Sequence, residues 1–248
     1  MASKPIYQIY AELEDYQPKI WRRFQVLSDI TMARLAYILM TIFEMQASHL
    51  YKFEVDELKR FKDYLDSRGL NIELFPNIEK DFLIAEYGCI FEDKMDIYIP
   101  DGHRELKDAK DVKMKHVVYQ ENDEMEFKYD FGDNWNIKII VEKVFEDTNI
   151  SGKELPRVIE GQGFGIIEDC GGTGGLEEIR KAFKIKNGEQ YEMYSNWLGI
   201  TELNLDEIDI EDLNYRLKKL PRIFKDVYEY NLSPTEQSIR IIERDYKK

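Results

Sequence analysis

Asp130 and Asp133 lie in a stretch that has to turn, Phe127-Lys128-Tyr129-Asp130-Phe131-Gly132-Asp133-Asn134-Trp135-Asn136-Ile137-Lys138-Ile139. Hard cations prefer oxygen ligands, so two carboxylates fixed at a turn could hold one. A second acidic pair, Glu168-Asp169, runs directly into Cys170-Gly171-Gly172-Thr173-Gly174-Gly175. Closely spaced glycines free the backbone to expose N–H groups, and a helix starting near Gly175 would add its positive end. Brought together, the two stretches give a candidate ligand-binding set: Asp130, Asp133, Trp135, Glu168, Asp169, Gly171, Gly172, Gly174 and Gly175. Asp130, Asp133, Glu168 and Asp169 would hold a divalent metal, and the glycines a phosphate. Carboxylates converging on metal are what phosphoryl transfer or metal-assisted hydrolysis requires. Plainer roles compete with these. Asp133 could cap backbone amides and Asp130 pair with a lysine, and the glycines could simply let a strand and a helix pack closely.

The remaining reactive side chains offer less. A nucleophilic Cys170 would need a base and a lowered pKa, whereas its acidic neighbours push the other way. It reads as a small buried residue. His49, His103 and His116 form no metal-spaced pair. His49 opens a strand, His103 sits in a turn and His116 lies among lysines. Lys19, Arg22 and Arg23 interleave with Trp21 and Phe24, a pattern that could meet nucleic acid by charge and stacking. The same arginines could instead pair with the abundant acids.

Regular elements must position these residues. Ile6–Leu13 and Ile20–Leu27 alternate as strands, with Ile20, Arg22, Phe24 and Val26 on one side and Trp21, Arg23, Gln25 and Leu27 on the other. Thr31 caps a helix whose apolar positions run from Met32 to Phe43. Leu50–Val55 is a third strand, and Asp56–Ser67 a polar helix ending at Gly69. Phe82–Tyr87 and Cys89–Phe91 read either as short strands or as part of an insertion over 56–95. Met95–Ile99 is a strand stopped by Pro100-Asp101-Gly102. Phe127–Phe131 and Trp135–Val144 are strands joined by Gly132-Asp133-Asn134. Helices follow from Leu176, over Ile208–Leu220 and over Ser233–Tyr246, the last with Pro234 at its first position. Hairpin, helix and strand in that order make a compact α+β unit with the helix over one sheet face.

The chain has 248 residues, enough for a substantial core, and a net charge of −14. That charge opposes coating of bare nucleic acid, which rests on a Lys/Arg surface. It favours solubility, cation binding or a basic partner, here expected to be a protein. The longest apolar run, Leu35–Phe43, is far short of the roughly 20 residues of a membrane helix. No signal-peptide core opens the sequence, and two cysteines make no disulfide framework. A reducing cytoplasm without membrane attachment is the expected setting.

Several segments together resemble the plasmid pRiA4b ORF-3-like family. They are Pro18-Lys19-Ile20-Trp21-Arg22-Arg23, Asp29-Ile30-Thr31, Ser48-His49-Leu50 with Phe53, Tyr129-Asp130-Phe131-Gly132-Asp133-Asn134-Trp135, Gly161, and Glu168 to Gly175. The resemblance implies an α+β fold with a β-grasp-like start, a mixed or antiparallel sheet and a helical C-terminal region. One domain would span 1–200, with 201–248 packed on it as a helical extension. Some relatives carry a transposon-resolvase label, but the serine among arginines and the basic DNA-binding module of a serine resolvase are missing here. Two positions depart from the family pattern. Ile137 stands where a histidine is usual, and Ile166-Ile167 where paired prolines are usual. The first functional expectation is a non-enzymatic interaction module, linked through the family's name to plasmids or mobile elements. The alternatives are a metal- or nucleotide-dependent enzyme and a DNA-binding regulator.

Overall fold

The structure, a computed structural model, describes residues 4–74, 84–89 and 104–244. Ile6–Leu13 (β1) and Trp21–Leu27 (β2) pair as an antiparallel hairpin, with Ile9 opposite Phe24 and Ala11 opposite Arg22. Met32–Ile42 (α1) follows, and the Thr31 side chain accepts the Arg34 N–H at 3.1 Å, so the cap read from sequence is in place. Tyr51–Asp56 (β3) leads into Glu57–Ser67 (α2), where Asp56 caps by accepting the Lys59 N–H at 2.8 Å. The later strands are Ile84–Gly88 (β4), Arg104–Asp108 (β5), Glu124–Tyr129 (β6), Trp135–Phe145 (β7) and Arg157–Gln162 (β8). Gly172–Ile185 (α3), Glu189–Leu198 (α4), Ile210–Leu217 (α5), Leu220–Tyr230 (α6) and Glu236–Ile242 (α7) complete the chain. The expectations at Phe82–Tyr87 and Cys89–Phe91 lie only partly within the described residues. Those at Met95–Ile99, at Pro100-Asp101-Gly102 and at His103 lie outside them.

These strands form one mixed eight-stranded sheet in the order β5-β4-β3-β6-β7-β1-β2-β8. The β4–β5 pair is parallel and the other pairs are antiparallel. The hairpin-helix-strand order stands, and β6 and β7 lie between the hairpin and β3. Register ties Tyr51 to Tyr129 and Tyr129 to Trp135. That places the entry to β3, the exit from β6 and the entry to β7 at one end of the sheet.

The class is α+β, with the helices gathered toward the C-terminus. Along α1 every residue except Arg34 is buried. A helix apolar all round needs cover on both sides. The sheet covers one side, through contacts such as Tyr37 against Tyr51, and α5 and α6 cover the other. On the open sheet face, charged side chains pair across strands. Glu54, for example, sits between Lys52 and Lys128 at 2.8 and 2.7 Å. At the β8 edge the Asn214 side chain of α5 bonds both backbone groups of Val158, at 2.8 and 3.0 Å.

Several boundaries differ from the sequence reading. Ile208–Leu220 is not one helix, because α5 ends at Leu217 and α6 begins at Leu220 with Pro221 in its first turn. Proline is suited to starting a helix but not to continuing one. The last helix is capped by Thr235, which accepts the Ser238 N–H at 3.2 Å, and Pro234 precedes it. No helix among the described residues is long and apolar enough to cross a membrane.

Candidate functional site

Asp130 leaves β6 with φ 51°, a left-handed angle that Asp and Asn tolerate better than most residues. The turn closes when the Asn134 N–H meets the Asp130 carbonyl at 2.7 Å. One Asp130 carboxylate oxygen accepts the Gly132 N–H at 3.1 Å. The other, Oδ2, faces His49 Nε2 at 3.5 Å. His49 stands just before β3. Its Nε2 also lies 3.4 Å from Asp169 Oδ1 and 3.9 Å from Glu168 Oε2. That nitrogen is buried and makes no hydrogen bond.

Glu168 is the fixed member of the group. It accepts the Gln46 N–H at 2.6 Å, the Tyr129 hydroxyl at 2.5 Å and the Ser48 hydroxyl. Tyr129 in turn accepts the Ser48 and His49 amides at 3.1 and 3.3 Å. Burial first, and then the charge of Glu168, raise the Tyr129 pKa, so the phenol stays a donor toward Glu168. Asp169 is the exposed counterpart, with its side chain 73% exposed and φ at 60°.

The two stretches singled out from sequence therefore meet. Asp133 Oδ2 accepts the Gly171 N–H at 3.1 Å. Gly172, at φ 71°, packs so closely that an added Cβ would sit 2.6 Å from the Asp133 carbonyl oxygen. Gly172 to Gly175 form the first turn of α3 rather than a loop. At Gly175 a Cβ would overlap the Cys170 carbonyl oxygen at 1.6 Å. Two of the expected roles thus coexist, because Asp133 caps an amide while Asp130 and Asp169 converge with Glu168 close by. Asp133 itself is bound to the glycine turn, not to the acidic group. Trp135 is wholly buried and lies in the core, not on a ligand surface. Cys170 is half-buried, and burial first and Asp133 next push its thiol up to about 12.

His49 is the residue that sequence reasoning missed as a member of the site. It has no ligand-spaced partner along the chain, and its partners come from two other connections. The available signal was its place in Ser48-His49-Leu50, one of the family-like segments. Ile137, at the position where relatives usually have histidine, is fully buried opposite Phe127 and Leu13. The Ile166 N–H donates to the Phe43 carbonyl at 2.9 Å, a bond that proline could not make.

The strip Lys19, Arg22, Arg23 does not present three free cations. Arg22 points into the core, fully buried, and donates to the carbonyls of Ile42, Trp21, Gln162 and Phe164 at 2.6 to 2.9 Å. Arg23, on the opposite face, is bidentate to Glu142 at 2.7 and 2.8 Å and also pairs with Glu160. Lys19 pairs with Glu12 at 2.8 Å. Strand alternation sets Arg22 and Arg23 on opposite faces.

Over residues 5–214 the sequence matches the family described as plasmid pRiA4b ORF-3-like protein. The chain belongs to that family. A curated relative, the uncharacterized protein y4hQ of Sinorhizobium fredii, is 26% identical over 211 residues, covering 84% of this chain and 89% of its own length. The crystal structure of MM3350, a protein of unknown function from Methanosarcina mazei Go1, shares the fold. Its TM-score is 0.65 at 24% identity, with 85% of this chain and 98% of that one covered. Neither relative carries an assigned activity.

Proposed function

We propose that this protein binds a divalent transition-metal cation through His49, Asp130 and Asp169. The observation that carries the reading is His49 Nε2, a buried nitrogen without a hydrogen bond, placed 3.4 and 3.5 Å from two carboxylate oxygens. The three donor atoms lie within 4.8 Å of one another. With metal–ligand bonds of about 2.0–2.2 Å, tetrahedral donors sit roughly 3.3–3.6 Å apart, so a small turn of the exposed Asp169 side chain completes the set. One imidazole with carboxylates suits zinc, manganese or iron better than calcium or magnesium. Glu168, engaged by three donors, fixes the connection that carries His49 and adds negative charge.

Three protein ligands with one exposed flank leave room for a water or a ligand, the pattern of catalytic rather than closed structural sites. A cation bound there would supply Lewis acidity and make a coordinated water more acidic. The residues present fit hydrolysis better than thiol chemistry, because the Cys170 thiol is held protonated. The interaction-module expectation rests on the acidic surface and on the lack of a nucleophile–base pair, and neither of these accounts for the unbonded His49 nitrogen. A reducing cytoplasm suits two free cysteines.

Calorimetric titration of the purified chain with Mn²⁺, Zn²⁺ and Co²⁺ tests the reading. Binding at one site that His49→Ala abolishes is the expected result. If no cation binds, or if binding survives in His49→Ala, His49 is only a counter-charge to the acids and the proposal fails.

A further inference from the structure

The connection from residue 43 to residue 50 carries His49 from α1 to β3, and regular secondary structure does not hold it. Glu44 and Ala47 both take left-handed backbone angles, at φ 68° and 63°. Its middle is fixed by the site itself, since Gln46, Ser48 and His49 bond to Glu168 and Tyr129. Its two ends are fixed from elsewhere.

At the first end the buried Glu44 carboxylate takes Arg216 of α5 at 2.6 Å, and Arg244, just past α7, at 2.5 and 2.6 Å. At the second end the Tyr228 hydroxyl of α6 donates to the His49 carbonyl. The Tyr228 ring is itself wedged in place. It stacks on Tyr37 at 5.7 Å and meets Tyr51 edge-on at 5.2 Å. Arg216, Tyr228 and Arg244 all lie beyond residue 214, where the family match ends.

We infer that the C-terminal helices of this chain position His49 and so set the affinity of the metal site, with Tyr228 as the positioning residue. This rests on the metal-binding reading above. Partners that orient a metal-ligating histidine typically contribute about 10- to 100-fold in affinity. The bond here is to the histidine's own backbone carbonyl, so the lower end of that range is expected. Coupling must also run both ways, because linkage is reciprocal.

The test is Co²⁺ titration of the full chain, followed by calorimetry and by the visible absorption of the bound ion. The variants are Tyr228→Phe and, as a control, Tyr37→Phe, whose hydroxyl meets Glu229 at 3.3 Å and not His49. Tyr228→Phe should weaken binding about ten-fold and alter the Co²⁺ spectrum, while Tyr37→Phe matches wild type in both. A purely structural tyrosine would lower the melting temperature and leave affinity and spectrum alone, and that result overturns the inference. If wild type itself binds no Co²⁺, the metal reading has failed and takes the inference with it. Should Tyr228→Phe not fold, hydrogen exchange on wild type decides. Saturating Co²⁺ should slow exchange along Leu220–Tyr230, and unchanged exchange there refutes the coupling.

Discussion

Glu44 and Asp212 are buried acids, as are Asp130 and Glu168, but the two pairs meet different partners. Around Glu44 the account closes. Arg216 and Arg244 bind both of its oxygens, and Arg244 also takes Asp212 at 2.7 Å. Burial alone would push the Glu44 carboxyl up, but the guanidiniums beside it hold it below the usual carboxylate range. Around His49 no guanidinium or ammonium is within ion-pair distance of Asp130, Glu168 or Asp169 among the described residues. The same residue type serves architecture where cations come from the chain; where they do not, it is left to the metal cation proposed above. Net charge, which counts both sets alike, cannot separate them.

The most damaging way to break this contrast is to open the closed cluster. Arg216→Ala leaves Glu44 buried with one of its two partners, and removing one member of a buried pair costs on the order of 3–5 kcal/mol. Urea unfolding should show that loss whether or not metal is present. Asp130→Asn probes the other cluster. Asparagine can keep the turn bond to Gly132, so unfolding in chelator should change by less than about 1 kcal/mol. Metal affinity should drop roughly 100-fold, about 2.7 kcal/mol. Equal losses in both assays would erase the distinction.

Acid titration sharpens it further. Although burial raises the Glu54 carboxyl, its bonds to Lys128 and Lys52 bring it down to about 2. Its folded-state pKa is depressed, so its contribution is complete above the unfolded value near 4.5 and fades as pH falls toward about 2. Glu54→Gln should flatten that acid limb in pH-dependent unfolding, and an unchanged limb would show the pairing adds nothing. The smallest effect belongs to Asp133→Ala. It loses one bond to the Gly171 amide, worth about 1 kcal/mol, and should leave metal affinity within about two-fold. A large fall in affinity would place Asp133 back among the ligands.

Where sequence was readable, it was so through periodicity. The alternation over Ile6–Leu13 matches β1 at both ends, and the even and odd positions of β2 already sort Arg22 from Arg23. Edge and surface elements carried no such signal. Only Val158 is buried along β8, and only Tyr194 along α4, so neither shows an apolar stripe. The convergence of acids on the glycine turn could be anticipated from composition. His49 could not, since its approach to Asp130 depends on β3 pairing with β6, a contact between residues far apart in the chain.

Asn214 has a consequence outside chemistry. Its amide mimics a peptide group and satisfies both backbone hydrogen-bonding positions of Val158 at the sheet margin. Peeling α5 away would bare a strand to neighbouring molecules, because open strand margins template pairing with other chains. The earliest sign of a loosened C-terminus would then be the growth of particles at high protein concentration, before any global melting.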